Sequence, residues 1–147
     1  MEYLNLVTNF DGRTIKIEVI LLPSNQSIKP PVHKQTLILD TGADKTALTR
    51  QFLQRNGYGK YTNTAIKKNT ATGPVELYSC EITGLIMANE FKFGKMNVDV
   101  LDNWQFSTCV GVIGMDIISQ MTFILSHNYR KFLLTKQDIP ELSKFLA

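Results

Sequence analysis

Two cysteines, two histidines and one tryptophan stand among 147 residues, and each scarcity removes a class of function. Cys80 and Cys109 do not form a disulfide framework or a Cys-x-x-Cys metal pair. Both fall in apolar stretches, where buried free thiols are expected. No His/Cys cluster has metal-ligand spacing, and neither a metal nor another cofactor is expected. Charge of one sign is also scarce. The net +3 is small and scattered, which argues against nucleic acid as a partner, and the densest basic pair, Lys67-Lys68, reads as a solvated turn. No apolar run approaches the length of about 20 residues that a bilayer requires, so no membrane partner is expected. The opening MEYLNLVTNFDGR lacks a basic start followed by an apolar core, so no signal peptide is read. These absences point to a reduced, cytoplasmic protein.

Hydrophobic residues at 44% and charged residues at 20% fit an ordinary globular chain, and the length suits one domain over 1–147 with a proper core. Most of the chain reads as strands. Residues 14–22, TIKIEVILL, alternate and then become continuously apolar. The Pro/Ser/Lys-rich segment 23–34 has no apolar period and reads as a mobile loop. A short apolar strand, 35–39, runs into Asp40. From Thr46 the spacing of Leu48, Phe52 and Leu53 predicts a helix stopped by Gly57. Residues 64–82 read as two strands around TATGPV, with Gly73-Pro74 as the turn. Further strands are expected at about 84–93, 95–101 and 109–113. MDIISQ reads as a short helix, MTFILSHNYRKFLLT as a hairpin turning at His127-Asn128, and 139–146 as a terminal helix. The expectation is a mainly β domain with one or two short helices.

Residues 37–48, LILDTGADKTAL, carry the chemistry. An acid at the end of an oily strand is partly desolvated there, and desolvating a charge is costly unless something offsets it. Asp40 is either a turn or capping residue, for which Asp is favoured because its side chain bonds nearby backbone N–H groups, or part of a reaction. Asp44 likewise reads as the N-cap of the helix beginning near Thr46.

Asp40-Thr41-Gly42 at a strand end, followed by Ala43, resembles the active-site loop of retropepsin-like aspartic proteases. A second hallmark of that family, two apolar residues and a glycine before a short helix, appears as Val112-Ile113-Gly114 followed by MDIIS. Between them TATGPVELYSCEI occupies the interval of the family's flap hairpin. The resemblance covers roughly 13–135 and implies a closed retropepsin-like (acid protease) barrel. Non-viral, single-domain members with longer tails are the nearer match.

Peptide hydrolysis without a metal or covalent intermediate needs a base to activate water and an acid to protonate the carbonyl oxygen. Two carboxylates sharing one proton do both, because like charges a few ångströms apart do not both ionise. Only one Asp-Thr-Gly is present, so the second carboxylate must come from another chain, and a two-fold axis supplies it. The expected active form is a homodimer acting on a protein or peptide substrate. The resemblance further implies that Thr41 bonds the partner's loop, that Asp44 binds substrate backbone, that Ala71, Thr72 and Gly73 form the flap tip, and that Val112 walls the side-chain pockets. Gly42 lets the loop turn tightly beside a ligand. Ala43 offers no hydroxyl to stabilise the carboxylates, which implies activity nearer neutral pH. Retroviral members carry Arg after the second glycine to pair with the acid at the Asp44 position; here Met115 stands there, so Asp44 needs another partner or stays solvated.

The alternatives are a non-catalytic retropepsin-fold dimerisation or peptide-binding module, and a monomeric β-barrel in which Asp40 is structural. His33 and His127 read as solvated, Trp104 and Phe106 as core, and Asp99, Asp102 and Asp116 as capping or turn residues.

Overall fold

A computed structural model describes residues 4–5, 14–22, 33–56, 62–88, 90–104, 106, 108–126 and 131–136. Its elements in chain order are β1 (Leu4–Asn5), β2 (Lys16–Leu22), β3 (His33–Leu39), β4 (Ala47–Thr49), α1 (Arg50–Arg55), β5 (Thr62–Thr70), β6 (Gly73–Ile82), β7 (Gly84–Met87), β8 (Phe91–Phe93), β9 (Met96–Leu101), β10 (Gly111–Ile113), α2 (Met115–Ile118), β11 (Thr122–Ser126) and β12 (Lys131–Thr135). The alternation in 14–22 becomes a strand whose Ile17, Val19 and Leu21 are buried, as a half-buried period of two requires.

Nine strands form one sheet in the order β5-β6-β9-β4-β10-β3-β2-β7-β8, and β1-β12-β11 form a second. Among the described residues, the closed barrel implied by the resemblance is not formed. The nine-stranded sheet keeps two edges, because β5 is the outer strand of a long hairpin and β8 has three residues. Neither strand pairs with the other among the described residues.

The main core lies on one face of this sheet and includes Leu37, Leu48, Leu53, Ile82, Leu85 and Ile113. A smaller apolar cluster of Ile38, Ala47, Cys109 and Val112 forms separately, with Ala43, Leu101 and Trp104 packed on it. Strand alternation explains the division: Leu37 and Ile38, Ala47 and Leu48, and Val112 and Ile113 are neighbours that point to opposite faces. Cys80 and Cys109 are buried free thiols, and burial pushes the Cys80 thiol pKa up.

Several sequence expectations shift. The helix begins at Arg50, with Thr49 as its N-cap accepting the Phe52 N–H at 3.2 Å. Leu48 lies in a strand because β4 pairs with β9 on one side and β10 on the other, and that pairing overrides a helix-compatible spacing. Asp44 is therefore not the N-cap. His33 and Lys34 belong to β3, not to the loop. The strand expected over 84–93 breaks into β7 and β8 at Ala88, which has φ 56°. The turn of the β5–β6 hairpin is Ala71-Thr72, and Pro74 pairs with Asn69 inside the ladder. Gly73 there has φ 115°, a conformation that favours glycine. Phe106 is 49% exposed and does not belong to the core. β1 was not foreseen; it pairs with β12. The segment 23–32, the stop at Gly57, the His127-Asn128 turn and the helix at 139–146 lie outside the described residues.

At Gly111 β10 runs close against β4: a Cβ there would overlap the Ala47 carbonyl oxygen. Overpacking of this kind costs about 1–3 kcal/mol. Gly111→Ala is expected to lower unfolding stability by at least that amount in a urea titration.

Candidate active site

Residues 40–46 and 113–116, far apart in sequence, are joined by main-chain hydrogen bonds. The Asp40 N–H donates to Ile113 C=O at 2.9 Å, Met115 N–H to Ala43 C=O at 2.7 Å, and Asp116 N–H to Asp44 C=O at 3.1 Å. The first of these continues the parallel pairing of β3 with β10 past the end of the strand. Thr46, fully buried, completes the joint. Its hydroxyl accepts from Gly114 N–H at 3.2 Å and donates to Asp116 Oδ1 at 2.8 Å, and its own N–H donates to that oxygen at 2.9 Å. Asp116 Oδ1 also accepts the Ile117 N–H at 2.9 Å. Asp116 is therefore not the cap expected from the sequence: Gly114 is the N-cap of α2 and Asp116 lies in its first turn, where its carboxylate ties the two loops.

Asp40 is exposed in the single chain, in contrast to the partial desolvation expected at a strand end. β3 stops at Leu39, and the chain turns outward through Thr41 and Gly42, both exposed. Asp40 Oδ1 accepts the Gly42 N–H at 2.9 Å, which orients the carboxylate from within its own loop. Asp40 follows Ile38 by two residues, so the alternation of the strand carries it toward the side of the smaller apolar cluster. Val112, expected as a pocket wall, is 9% exposed and belongs to that cluster.

A row of paired residues crosses this face over five strands. Ile38 pairs with Val112, Val112 with Ala47, Ala47 with Asp99, and Asp99 with Ser79. The row is apolar beside Asp40 and polar toward β6. Its acid, Asp99, is 7% exposed and accepts from Lys68 Nζ at 2.9 Å. Lys68 also forms an ion pair with Asp44. The cation that meets Asp44 therefore comes from β5, not from the position of Met115, and Lys68 does not lie in a solvated turn. Asp99 has no capping role either.

The Lys68 hydrogen bond holds the Asp44 carboxyl below its ordinary value, with the ammonium's charge acting in the same direction. For Lys68, desolvation is the largest influence and opposes the charged form. Hydrogen bonds to Asp44 and Asp99 and their charges outweigh it and raise the lysine. Asp102 is likewise lowered by hydrogen bonding to Arg50, at 2.7 and 3.2 Å. Arg50 also lies over the Tyr78 ring at 5.0 Å, and Trp104 Nε1 donates to Cys109 C=O at 2.7 Å. These contacts hold the segment between β9 and β10 against α1 and β6.

At the hairpin turn, Ala71 and Thr72 are exposed, and Thr70 Oγ1 donates to Gly73 C=O at 2.7 Å and accepts the Thr72 N–H at 3.3 Å. The bonds of this tip lie within the hairpin. Sequence reasoning missed Lys68, Asp99 and Thr46. The available signal was Val98-Asp99-Val100, an acid inside an apolar strand, which calls for a cation nearby. A cavity of about 750 Å³ lies between α1 and 101–110, lined by Arg50, Phe52, Asp102 and Trp104 among others, and includes no residue of the Asp40 loop. No cluster of His, Cys, Asp and Glu able to hold a metal occurs among the described residues, and no helix among them is long and apolar enough to cross a membrane.

An Asp-Thr-Gly loop is thus stitched to an apolar-apolar-Gly segment, beside a β-hairpin in a largely β structure. A family described as aspartyl protease matches residues 30–117, more than half of the chain, and the chain belongs to that family. The structure is similar to a retropepsin-like aspartic protease from Rickettsia conorii, with a TM-score of 0.54 and 15% identity over 83% of this chain and 81% of that one. It also matches EIAV protease complexed with the inhibitor HBY-793, with a TM-score of 0.47 and 23% identity over 73% of this chain and 86% of that one. No curated protein matches. The fold is retropepsin-like.

Thr46→Val keeps shape but removes the hydroxyl between Gly114 and Asp116. Leaving buried polar groups unpaired costs about 1–3 kcal/mol, and a loss of that size is expected in chemical unfolding. Acid provides another test. Asp44 and Asp102 lie below the ordinary value of 3.8. Their stabilisation is therefore present above that value and is lost as pH falls through it toward the depressed values. Urea midpoints followed from about pH 6 to about pH 2 are expected to fall, and to fall less steeply in Asp102→Asn.

Proposed function

We propose that the protein is an aspartic endopeptidase whose catalytic dyad is Asp40 and its copy across a homodimer two-fold axis. One observation carries this reading: the chain holds a single Asp-Thr-Gly, and its acid is exposed on a loop whose backbone is fixed from both sides. A lone carboxylate supplies a base but no matching acid. Two related by symmetry share one proton, so that one takes a proton from water while the other protonates the scissile carbonyl oxygen.

In this reading Thr41 and Gly42 shape the loop at the axis, and Asp44 receives substrate main chain. The cluster of Ile38, Ala47 and Val112 supports apolar side-chain pockets, and the tip Ala71-Thr72-Gly73 closes over an extended peptide. The exposure of Thr41 is compatible with a bond to the partner's loop. Two reduced thiols support a cytoplasmic setting.

Asp40→Asn retains shape and cannot share the proton. Cleavage of a diverse peptide library is expected to fall by at least about 10²–10⁴-fold, the usual contribution of acid–base groups, with the dimer retained by light scattering. Undiminished cleavage in the variant, or an active monomer, overturns the shared dyad. A dimer whose wild-type form cuts nothing in the library favours a peptide-binding module.

A further inference from the structure

Lys68 stands on β5, two residues before the threonine that braces the hairpin turn, and its ammonium meets two acids from different parts of the fold. The two contacts differ in kind. The Asp99 side chain is 9% exposed, and a buried charge left alone is strongly unfavourable, so the lysine and this acid require one another. The Asp44 side chain is 66% exposed, and an ion pair in that setting contributes little to stability. The inner pair seats the lysine; the outer pair fixes a direction.

We infer that Lys68 is a positioning residue for substrate binding. Seated on Asp99, it orients the Asp44 carboxylate at the cleft and ties the flap hairpin to the catalytic loop. The residue row gives the physical reason. Asp99 is paired with Ala47 of β4, and the Asp99 N–H donates to Thr46 C=O at 3.0 Å, so the anchor is part of the same rigid joint that holds the Asp40 loop. Among the described residues, the hairpin's strand pairing with the rest of the sheet is that of β6 with β9. Without Lys68, β5 is an edge strand whose strand pairing, among the described residues, is with β6, and Asp44 loses the ion pair that orients it. With Lys68, an incoming peptide meets an acid already oriented and a flap whose base stays in place while its tip moves. This rests on the reading of Asp40 as catalytic.

The test uses the full chain and a peptide that the wild-type protein cuts. Lys68→Met combined with Asp99→Leu removes the inner pair without leaving either charge buried alone. The double variant is expected to raise KM by about 10-fold or more, the effect of one lost hydrogen bond to a charged group, with kcat changed less than about threefold. Hydrogen exchange of the 62–82 amides is expected to quicken, and Lys68→Arg to stay near wild type in both readouts. Asp44→Asn removes only the exposed pair, so it reports on flap exchange even where the double variant does not fold, and a small quickening of no more than about fivefold is expected there. An unchanged KM in a folded double variant overturns the inference, as does unchanged exchange in both variants. If the wild-type protein cuts no peptide, the protease reading fails separately and flap exchange alone decides: quickened exchange supports the clamp, and unchanged exchange overturns it.

Discussion

The joint between residues 40–46 and 113–116 is the constraint on which the site depends. The catalytic role proposed for Asp40 requires its carboxylate to be set to within a fraction of an ångström, since small misplacements are costly in rate. A loop of Thr, Gly and Ala has no such precision of its own. Here it is borrowed from the sheet, because the Asp40 amide continues the β3–β10 ladder, and the Ala43 and Asp44 carbonyls receive the first amides of α2. Thr46 closes the arrangement with one hydroxyl that both accepts and donates. At Gly114 a Cβ would overlap the Lys45 carbonyl, which places a glycine in the second motif for reasons of close backbone approach.

Around this joint, charge is distributed by depth. Asp99 and Lys68 form the buried member of the arrangement, where pairing is obligatory; the Asp44 and Asp102 pairs lie nearer solvent, where they direct more than they stabilise. The consequence is a face with two halves. Near Asp40 it is apolar, through Ile38, Ala47 and Val112. Toward the hairpin it is ionic, and the ionic half joins elements that main-chain hydrogen bonds leave apart.

Much of the frame was legible because strand periodicity is a local signal. The alternation of 14–22, the apolar run into Asp40 and the buried run at Val112-Ile113 all became strands, and MDII became α2. What failed did so for identifiable reasons. Leu48, Phe52 and Leu53 have helical spacing, yet Ala47–Thr49 sits between two partner strands, and ladder bonds from both sides outweigh a weak propensity. The closed barrel came from resemblance, and edge pairing is not encoded in either edge strand separately. Lys68 was read with Lys67 as a solvated turn because charge in a short window says nothing about an acid 31 residues away.

The sequence by itself determined the chemistry on offer: one Asp-Thr-Gly, one apolar-apolar-Gly segment in the right order, no metal-ligand spacing and no long apolar run. Those are properties of residue type and near neighbours, and they survive without coordinates. Only the tertiary structure decided which cation meets Asp44, which threonine ties the two loops, and that Asp99 is buried beneath the hairpin. Each of these depends on strands distant in the chain arriving side by side in a particular register, and register is set by the pairing of whole strands, not by the residues that finally touch.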